Sequence, residues 1–439
     1  MEKKILIICY DYLPLETPNS FRWSSIAEYW ANRGYKISVI SIWKPGLQRE
    51  ELINDVHVCR VGGNFTETIR NWFMRAYQLE KINRVKAVHN ISIKQKIFLL
   101  LKLFHDRTWK KIYWPDFACL WFFPALKKAN KLMEEHNIKQ IISVSIPFTA
   151  HLVGRTLKNK HPMTNLVADI SDPFCFLKSM PINNHLVYST INKIVERKTF
   201  RDANAISVLT ESIQKRYSEL FPESKNKIFI NPNLLSCNVN NEKNVPLFPI
   251  DEKIRLVFTG TLNKKIRSAE YLLIVFKLLM ETKISKRLGL HFFGEIGDCL
   301  EQFIHYNYLI DKNIFIHGVV SRKKAIQAMH SADILINIGN KNPYQEPSKV
   351  IEYISTGKPI INIMTIRKDS SAILLEKYPA AVNIFVPLVE KHPEKIAKLI
   401  EFIENPPIVK TDLLAELIAP YKIESIAASY ERILNNRIE

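Results

Sequence analysis

The run Glu346-Pro347-Ser348-Lys349-Val350-Ile351-Glu352-Tyr353-Ile354-Ser355-Thr356-Gly357-Lys358-Pro359-Ile360-Ile361 decides the fold. It follows an apolar segment, Asp333-Ile334-Leu335-Ile336-Asn337-Ile338, that predicts a buried strand. Pro347 stands at a first helical position, and Gly357 followed by Pro359 ends the helix. Strand, loop and short helix in this order offer free backbone N–H groups at a helix N-terminus, where a pyrophosphate can sit. Glu352 comes one turn after Ser348 on the same face. A carboxylate there accepts hydrogen bonds from ribose hydroxyls while the turn above holds phosphate. The run therefore predicts a nucleotide-sugar site.

Outward from this run, strand-like and helix-like segments alternate along the whole chain. In the first half the strands are Ile5–Cys9, Lys36–Ile42, Gln140–Val144, Asn165–Ile170 and Ala205–Leu209. The helices between them are Ser20–Asn32, with Asn19 or Ser20 as N-cap and Gly34 as stop, Pro124–His136, Phe148–Lys158, Val187–Arg201 and Glu211–Phe221. A second series has strands at Arg255–Thr259, Leu288–Phe293, Ile314–His317, Ile334–Ile338 and Pro359–Ile363. This order implies α/β architecture with two doubly wound, parallel, Rossmann-like sheets. Residues 1–240 form the expected first domain, the Asn-, Pro- and charge-rich 241–253 the linker, and 254–422 the second domain. A last helix, about 423–439, is expected to pack back on the first domain. Two such domains place a cleft between the carboxyl ends of their strands, where ligands bind in these folds.

Composition narrows the partners. At 439 residues, 47% of them hydrophobic, the chain can fill two cores. Six cysteines without a CxxC pair suggest neither a disulfide framework nor a zinc site, so a reducing cytoplasm is the expected setting. The apolar start Ile5–Ile8 reads as a first strand and not a signal peptide, because Asp11 and Pro14 end it early. No segment reaches the roughly 18 apolar residues of a membrane span. The net charge of +19 is uneven: residues 70–140 hold fifteen Lys/Arg against five Asp/Glu. Bases and aromatics interleave around 94–128, as in Trp109-Lys110-Lys111-Ile112-Tyr113-Trp114. Such a surface suits the inner leaflet of an anionic membrane, or else a solvated basic face over a buried helix. Nucleic acid is disfavoured, since no nucleic-acid motif accompanies the charge.

With both halves read, the chain resembles the GT-B glycosyltransferases, and within them the retaining family four that elongates bacterial cell-surface polysaccharides. The resemblance rests on Pro347-Ser348-Lys349, Glu352-Tyr353 and Gly357-Lys358-Pro359, with support from Val257-Phe258-Thr259-Gly260-Thr261-Leu262 and Ser331-Ala332-Asp333-Ile334-Leu335. In the first half Tyr12-Leu13-Pro14 with Phe21-Arg22, Asp169-Ile170-Ser171-Asp172-Pro173-Phe174 and Asn231-Pro232-Asn233 are similar to family segments. It implies a retaining, metal-independent transferase that moves a sugar from a nucleotide-diphosphate donor to a hydroxyl of a lipid-linked glycan, as in O-antigen, capsule or exopolysaccharide synthesis. No cofactor is expected beyond the co-substrate. A nucleotide-sugar epimerase of the same fold, or a catalytically degenerate assembly partner at the membrane, are the alternatives.

The resemblance also assigns residues. Glu352 would bind the donor ribose, with a pairing to Lys349 or Lys358 as the alternative. Ser348 and Lys349 would neutralise the diphosphate or simply cap the helix. The family's Arg directly after the first glycine is Thr261 here, so the cationic role passes from the Gly260 loop to Lys264, Lys265 or Arg267, the last two favoured. Gly294, in Gly294-Glu295-Ile296-Gly297, would touch the nucleotide through its backbone or form a plain turn. The donor-sugar Glu expected eight positions before Glu352 is Tyr344, which implies either an unusual donor sugar or nearby Glu346 reaching in from a shifted loop. Three residues of the first half are read from position. His151, at a helix start after a strand, could hydrogen-bond the sugar or take a proton, or else pack within its helix. Asp172, just past a strand end, is a candidate base or acceptor-orienting carboxylate. Arg22, on the first helix, could meet an acceptor or donor phosphate, or make a structural ion pair. No metal-ligand constellation stands out.

Overall fold

A computed structural model describes residues 3–15, 17–63, 108–177, 181–235, 246–344, 348–389 and 394–435. The expected linker therefore lies partly, Glu346 and residues 94–107 of the basic stretch wholly, outside the described residues. The chain divides into two compact units, residues 1–232 with 426–439, and residues 233–425.

The first unit is built on an eight-stranded sheet in the order β3-β4-β2-β1-β5-β6-β7-β8. Its strands are β1 (Lys4–Cys9), β2 (Lys36–Ile42), β3 (Glu50–Ile53), β4 (Val56–Val61), β5 (Gln140–Ser145), β6 (Asn165–Ile170), β7 (Ala205–Val208) and β8 (Ile228–Ile230). All pairings are parallel except β3 with β4. That hairpin escapes the sequence reading: its turn is Asn54-Asp55, both with positive φ, the geometry that matches the twist of two-residue hairpins. Helix α1 (Pro18–Ala31) starts earlier than expected, because Pro18 suits a first helical position. Its N-cap is Thr17, whose hydroxyl accepts the Ser20 N–H at 3.2 Å, not Asn19 or Ser20. Asn19 instead donates to the Ser145 carbonyl at 2.8 Å. Trp23 and Trp30 of α1 are fully buried, with ring centroids 5.1 and 6.3 Å from Tyr430. Tyr430 belongs to the C-terminal helix Ile423–Asn435. Burying three such rings contributes several kcal/mol, at roughly 25 cal/mol per Å² of apolar surface.

The second unit has a six-stranded, wholly parallel sheet ordered β11-β10-β9-β12-β13-β14. Its strands are β9 (Ile254–Thr259), β10 (Leu288–Phe293), β11 (Ile314–Gly318), β12 (Ile334–Ile338), β13 (Ile360–Met364) and β14 (Ala381–Phe385). Every residue of β9, β10 and β12 is buried, as a sheet covered on both faces requires. Leu256, Phe258, Leu290, Phe292, Ile336 and Ile338 fill one side, and Val257, Phe293 and Leu335 meet Val350, Ile351, Tyr353 and Ile354 on the other. Two doubly wound parallel sheets of this kind constitute the GT-B fold. Among the described residues no helix is long and apolar enough to cross a membrane.

Candidate functional site

In the second unit the loops after β9, β10, β12 and β13 leave the carboxyl ends of neighbouring strands, where a doubly wound sheet binds ligands. Backbone bonds knit them together. Gly260 N donates to Phe293 O at 2.9 Å, Leu262 N to Glu295 O at 2.8 Å, and Lys341 N to Ile266 O at 2.8 Å. Two glycines permit the closeness. A Cβ on Gly294 would lie 2.1 Å from the Gly260 carbonyl oxygen, and one on Gly339 would lie 1.6 Å from Asp369 Oδ2.

The β9 loop closes on itself, Asn263 and Arg267 exchanging both backbone hydrogen bonds at 2.9 and 2.7 Å. Lys264 and Lys265 consequently stand at the exposed tip, and Lys264 turns outward to Glu301 at 2.9 Å. Of the three candidate cations, Arg267 alone folds inward. Its Nη1 lies over Gly260, Nη2 donates to Asn340 Oδ1 at 3.1 Å, and Nε is buried without a partner. Burial pulls the guanidinium below its ordinary pKa, against the opposing influence of Tyr353 and Asp369. Asp369 caps the helix Ser370–Leu375, its Oδ1 accepting from Ser371 N at 2.8 Å and Ala372 N at 3.2 Å. The other oxygen, Oδ2, is buried and unpartnered. Burial raises this carboxyl's pKa, while the Ala372 and Ser371 hydrogen bonds and Arg267 oppose the rise. The result is a buried cradle with a cationic donor on one wall and a carboxylate acceptor on another. Unmade hydrogen bonds of this kind cost about 1–3 kcal/mol each, a cost that a polar ligand removes.

Beside the cradle, helix α2 (Lys349–Ser355) carries Glu352. Glu352 is buried, and Lys349 Nζ lies 2.7 Å from its Oε2 while Arg322 Nη2 lies 3.6 Å from its Oε1. The pairing with Lys349 expected as an alternative thus exists, although around a buried and not a surface carboxylate. Ser348 begins the helix without capping it, its backbone being helical and its hydroxyl making no cap bond. Tyr353 anchors the helix. Its hydroxyl accepts the Thr259 N–H at 2.8 Å and donates to the Thr259 carbonyl at 3.3 Å. Gly294 is a close-packing position, and its N–H donates to Gly318 O at 2.7 Å. Asn340, Tyr353 and Asp369 escaped the sequence reading. Asp369-Ser370-Ser371 carries a legible N-cap signal, and Gly339-Asn340 directly follows a buried strand.

The first-unit candidates fare differently. His151 is fully buried, with Nδ1 2.8 Å from the Ser143 hydroxyl, and burial drives its pKa down to about 3. Burial makes it a neutral core histidine, and Asp116 holds the start of its helix by accepting Thr149 N at 2.9 Å and Thr149 Oγ1 at 2.7 Å. Arg22 is also buried, donating to the carbonyls of Pro232 and Asn231 and to the Tyr430 hydroxyl at 3.3 Å. It ties α1 to the segment Asn231–Pro232 and to the C-terminal helix. Asp172 is half-buried in the loop after β6. Its neighbour Asp169 is the buried hub, accepting from Trp23 Nε1 at 3.0 Å, the Ser207 hydroxyl at 2.7 Å and the Tyr430 hydroxyl at 2.5 Å. The β3–β4 hairpin gathers ligand atoms of Glu50, His57 and Cys59 within 4.8 Å of one another, a trio invisible in the sequence. Lys128 already occupies Glu50 at 2.5 Å, and burial pushes the Cys59 thiol up to about 11.

No known family profile matches the sequence, and no curated protein matches it. Solved structures do. A lipopolysaccharide outer core galactosyltransferase, WaaB, aligns with a TM-score of 0.58 at 10% identity over 99% of this chain and 100% of its own. A trehalose-6-phosphate protein of E. coli bound with UDP-2-fluoro glucose aligns with a TM-score of 0.61 at 9% identity, over 99% and 100%. A putative UDP-N-acetylglucosamine 2-epimerase from Listeria monocytogenes aligns with a TM-score of 0.55 at 11% identity, over 98% and 95%. At such identities the likeness establishes the architecture: this chain has the GT-B glycosyltransferase fold.

Proposed function

We propose that the protein transfers a sugar from a nucleotide-diphosphate donor to a hydroxyl of a lipid-linked glycan acceptor, with retention and without metal. The setting is bacterial surface polysaccharide synthesis on the cytoplasmic side of the membrane. The observation that carries the reading is the Arg267–Asn340–Asp369 cradle at the strand ends, with the Glu352 helix tethered to the same strand by Tyr353. Arg267 meets the diphosphate as negative charge grows on it during departure, which lowers the barrier. Lys349 and the first turn of α2 add positive potential. Glu352 takes the ribose hydroxyls, and Asp369 Oδ2 takes a donor-sugar hydroxyl. Asp172 remains the acceptor-orienting carboxylate. Neutral His151 and tethered Arg22 take no part.

The test is a panel of nucleotide-sugars scored by thermal shift and then by turnover, since a ligand that binds the native state raises its stability. We expect one donor to stabilise the chain and to release nucleotide only when acceptor is added. Glu352→Ala should weaken that donor's binding by roughly tenfold or more, the worth of a hydrogen bond to a charged group. Isomerised donor without acceptor would move the assignment to an epimerase. No shift and no consumption with any donor would leave an assembly partner.

A further inference from the structure

Helix α3 (His185–Asp202) should, as a surface helix, show solvent a polar face. Instead Leu186 is 96% exposed, Val187 61%, Ile191 45% and Ile194 48%. Val187, Ile191, Ile194 and Lys198 follow one another at helical spacing, so they form a single stripe. The adjoining stripe is Leu186, Thr190, Lys193, Arg197 and Arg201, all exposed. The one carboxylate within residues 185–201, Glu196, is on the opposite side, fully buried and accepting the N–H groups of Phe174 and Cys175. The exposed face is thus apolar in its first half and cationic in its second, where Arg197 pairs with Glu223 at 2.8 Å and Arg201 with Asp202 at 3.0 Å, and Lys193 and Lys198 stand exposed beside them. It continues onto the segment Trp109–Ile112, because the Tyr188 hydroxyl donates to the Ile112 carbonyl at 2.7 Å and Asn184 Nδ2 to the Lys111 carbonyl at 3.4 Å. Ile112 is 62% exposed and Lys111 is exposed beside it.

We propose that this face, α3 with Lys111 and Ile112, is where the protein rests on an anionic lipid bilayer. The proposal deepens the lipid-linked-acceptor reading and rests on it for the presence of a membrane near the acceptor. Charge complementarity selects the occupant. An amphipathic face with apolar residues beside Lys and Arg sinks its apolar side chains below the headgroups and sets its cations against lipid phosphates. The face shares Lys111 and Ile112 with the basic and aromatic stretch at 94–128 and extends it to α3, more than 50 residues further along the chain.

The experiment is co-sedimentation of the full chain with vesicles of phosphatidylcholine alone or mixed with phosphatidylglycerol. Wild type should bind the mixed vesicles and leave the neutral ones. Leu186→Glu/Ile191→Glu, and separately Lys193→Ala/Lys198→Ala, should weaken binding by roughly tenfold or more, each cation near such a surface being worth about fivefold. These side chains are exposed, so circular dichroism should stay unchanged, and Ile112→Glu provides an independent variant. The matched pair Lys286→Ala/Lys312→Ala, on the second unit, should leave binding intact; an equal loss there would reduce the effect to net charge and overturn the proposal. Wild-type binding by the α3 variants would also overturn it. So would a solution dimer that Leu186→Glu/Ile191→Glu dissolves while vesicle binding persists, which would make the face a contact between copies. Transfer to a detergent-solubilised acceptor separates the two readings. Vesicle binding lost with transfer retained supports the surface, whereas vesicle binding through α3 with no donor consumed supports the surface and removes the transferase.

Discussion

The hydroxyl of Tyr353 accepts the backbone N–H of Thr259 at 2.8 Å and donates back to the carbonyl of the same residue at 3.3 Å. Thr259 ends β9 and Gly260 follows it, so this one side chain fixes the helix bearing Glu352 to the strand whose loop bears Arg267. Burial raises the phenol to about 12, so it remains a neutral donor. Tyr353→Phe removes both bonds and leaves two buried backbone groups without that partner. The expected cost is about 1–3 kcal/mol in chemical denaturation. Donor affinity should fall in addition, because the two walls of the site lose their common anchor. Tyr378→Phe, which removes one bond to the Lys358 carbonyl at 2.8 Å, should affect stability with little change in donor affinity. Equal donor affinity in the Tyr353 variant and wild type would separate the anchor from the site.

The glycine contacts make a sharper prediction. Gly294→Ala places a Cβ 2.1 Å from a backbone oxygen at a φ of +131°, so the β9 and β10 loops must separate. Gly339→Ala must push the Asp369 carboxylate away, its Oδ2 being 1.6 Å from the new carbon. Each should destabilise by about 2–4 kcal/mol from strain and overpacking together. Gly46→Ala is the control, with a φ of +91° but nothing within 4 Å, and should cost about 1 kcal/mol. Urea midpoints at constant m-value decide between them.

Much of this was legible because strand and helix periodicities report burial directly. The strands ending at Thr259, Phe293 and Ile338 are mostly apolar, with Arg255, His291 and Asn337 as exceptions within them, each is followed directly by a glycine, and they lie where their pattern puts them. What was not legible is the direction of side chains in loops. Lys264, Lys265 and Arg267 are chemically alike in sequence, and only the Asn263–Arg267 backbone closure decides that Arg267 turns in. His151 misled for a related reason. Its position after a strand end is where catalytic residues often stand, yet His151 is fully buried on the core side of its helix, whose start is held by Asp116, 33 residues away from Thr149. The α3 face was hidden because exposure is a property of the packed chain, and Leu186 and Ile194 read as core by type.

Buried histidines give the protein a pH dependence whose sign follows from their direction of shift. His151 falls from 6.5 to about 3 and His291 to about 4, both chiefly through burial. Below pH 6.5 the unfolded chain binds protons that the native chain refuses, so stability is full above that value. It is lost as pH falls from 6.5 toward the native values, at about 1.4 kcal/mol per pH unit for a fully titrating group. His151→Asn, which can retain a partner for Ser143, should flatten the curve between pH 6 and 4 as followed by urea unfolding. It should also leave the acid limb of the turnover profile in place, since a neutral core histidine does not titrate with activity. A profile that loses its acid limb in this variant would restore His151 to the chemistry.

The last prediction concerns the two walls of the cradle. Asp369→Asn keeps the cap on the helix Ser370–Leu375, because an amide oxygen can still accept from Ser371 and Ala372, so stability should change by less than about 1 kcal/mol. The charge that Oδ2 presents is nonetheless gone, and a donor-sugar hydroxyl loses a charged acceptor. Turnover should fall roughly tenfold or more, with the nucleotide alone binding as before. Arg267→Lys keeps a positive charge but loses the planar fork that reaches Asn340 and passes over Gly260. Its loss should appear in kcat more than in affinity, by roughly 10²- to 10³-fold, because the diphosphate gains most of its charge on the way to the transition state. The two variants thus divide the cradle by function, Asp369 reporting on the sugar and Arg267 on the leaving group. A loss in Arg267→Lys that lies wholly in nucleotide binding, with kcat intact, would show that the guanidinium holds the ground state and contributes nothing to departure.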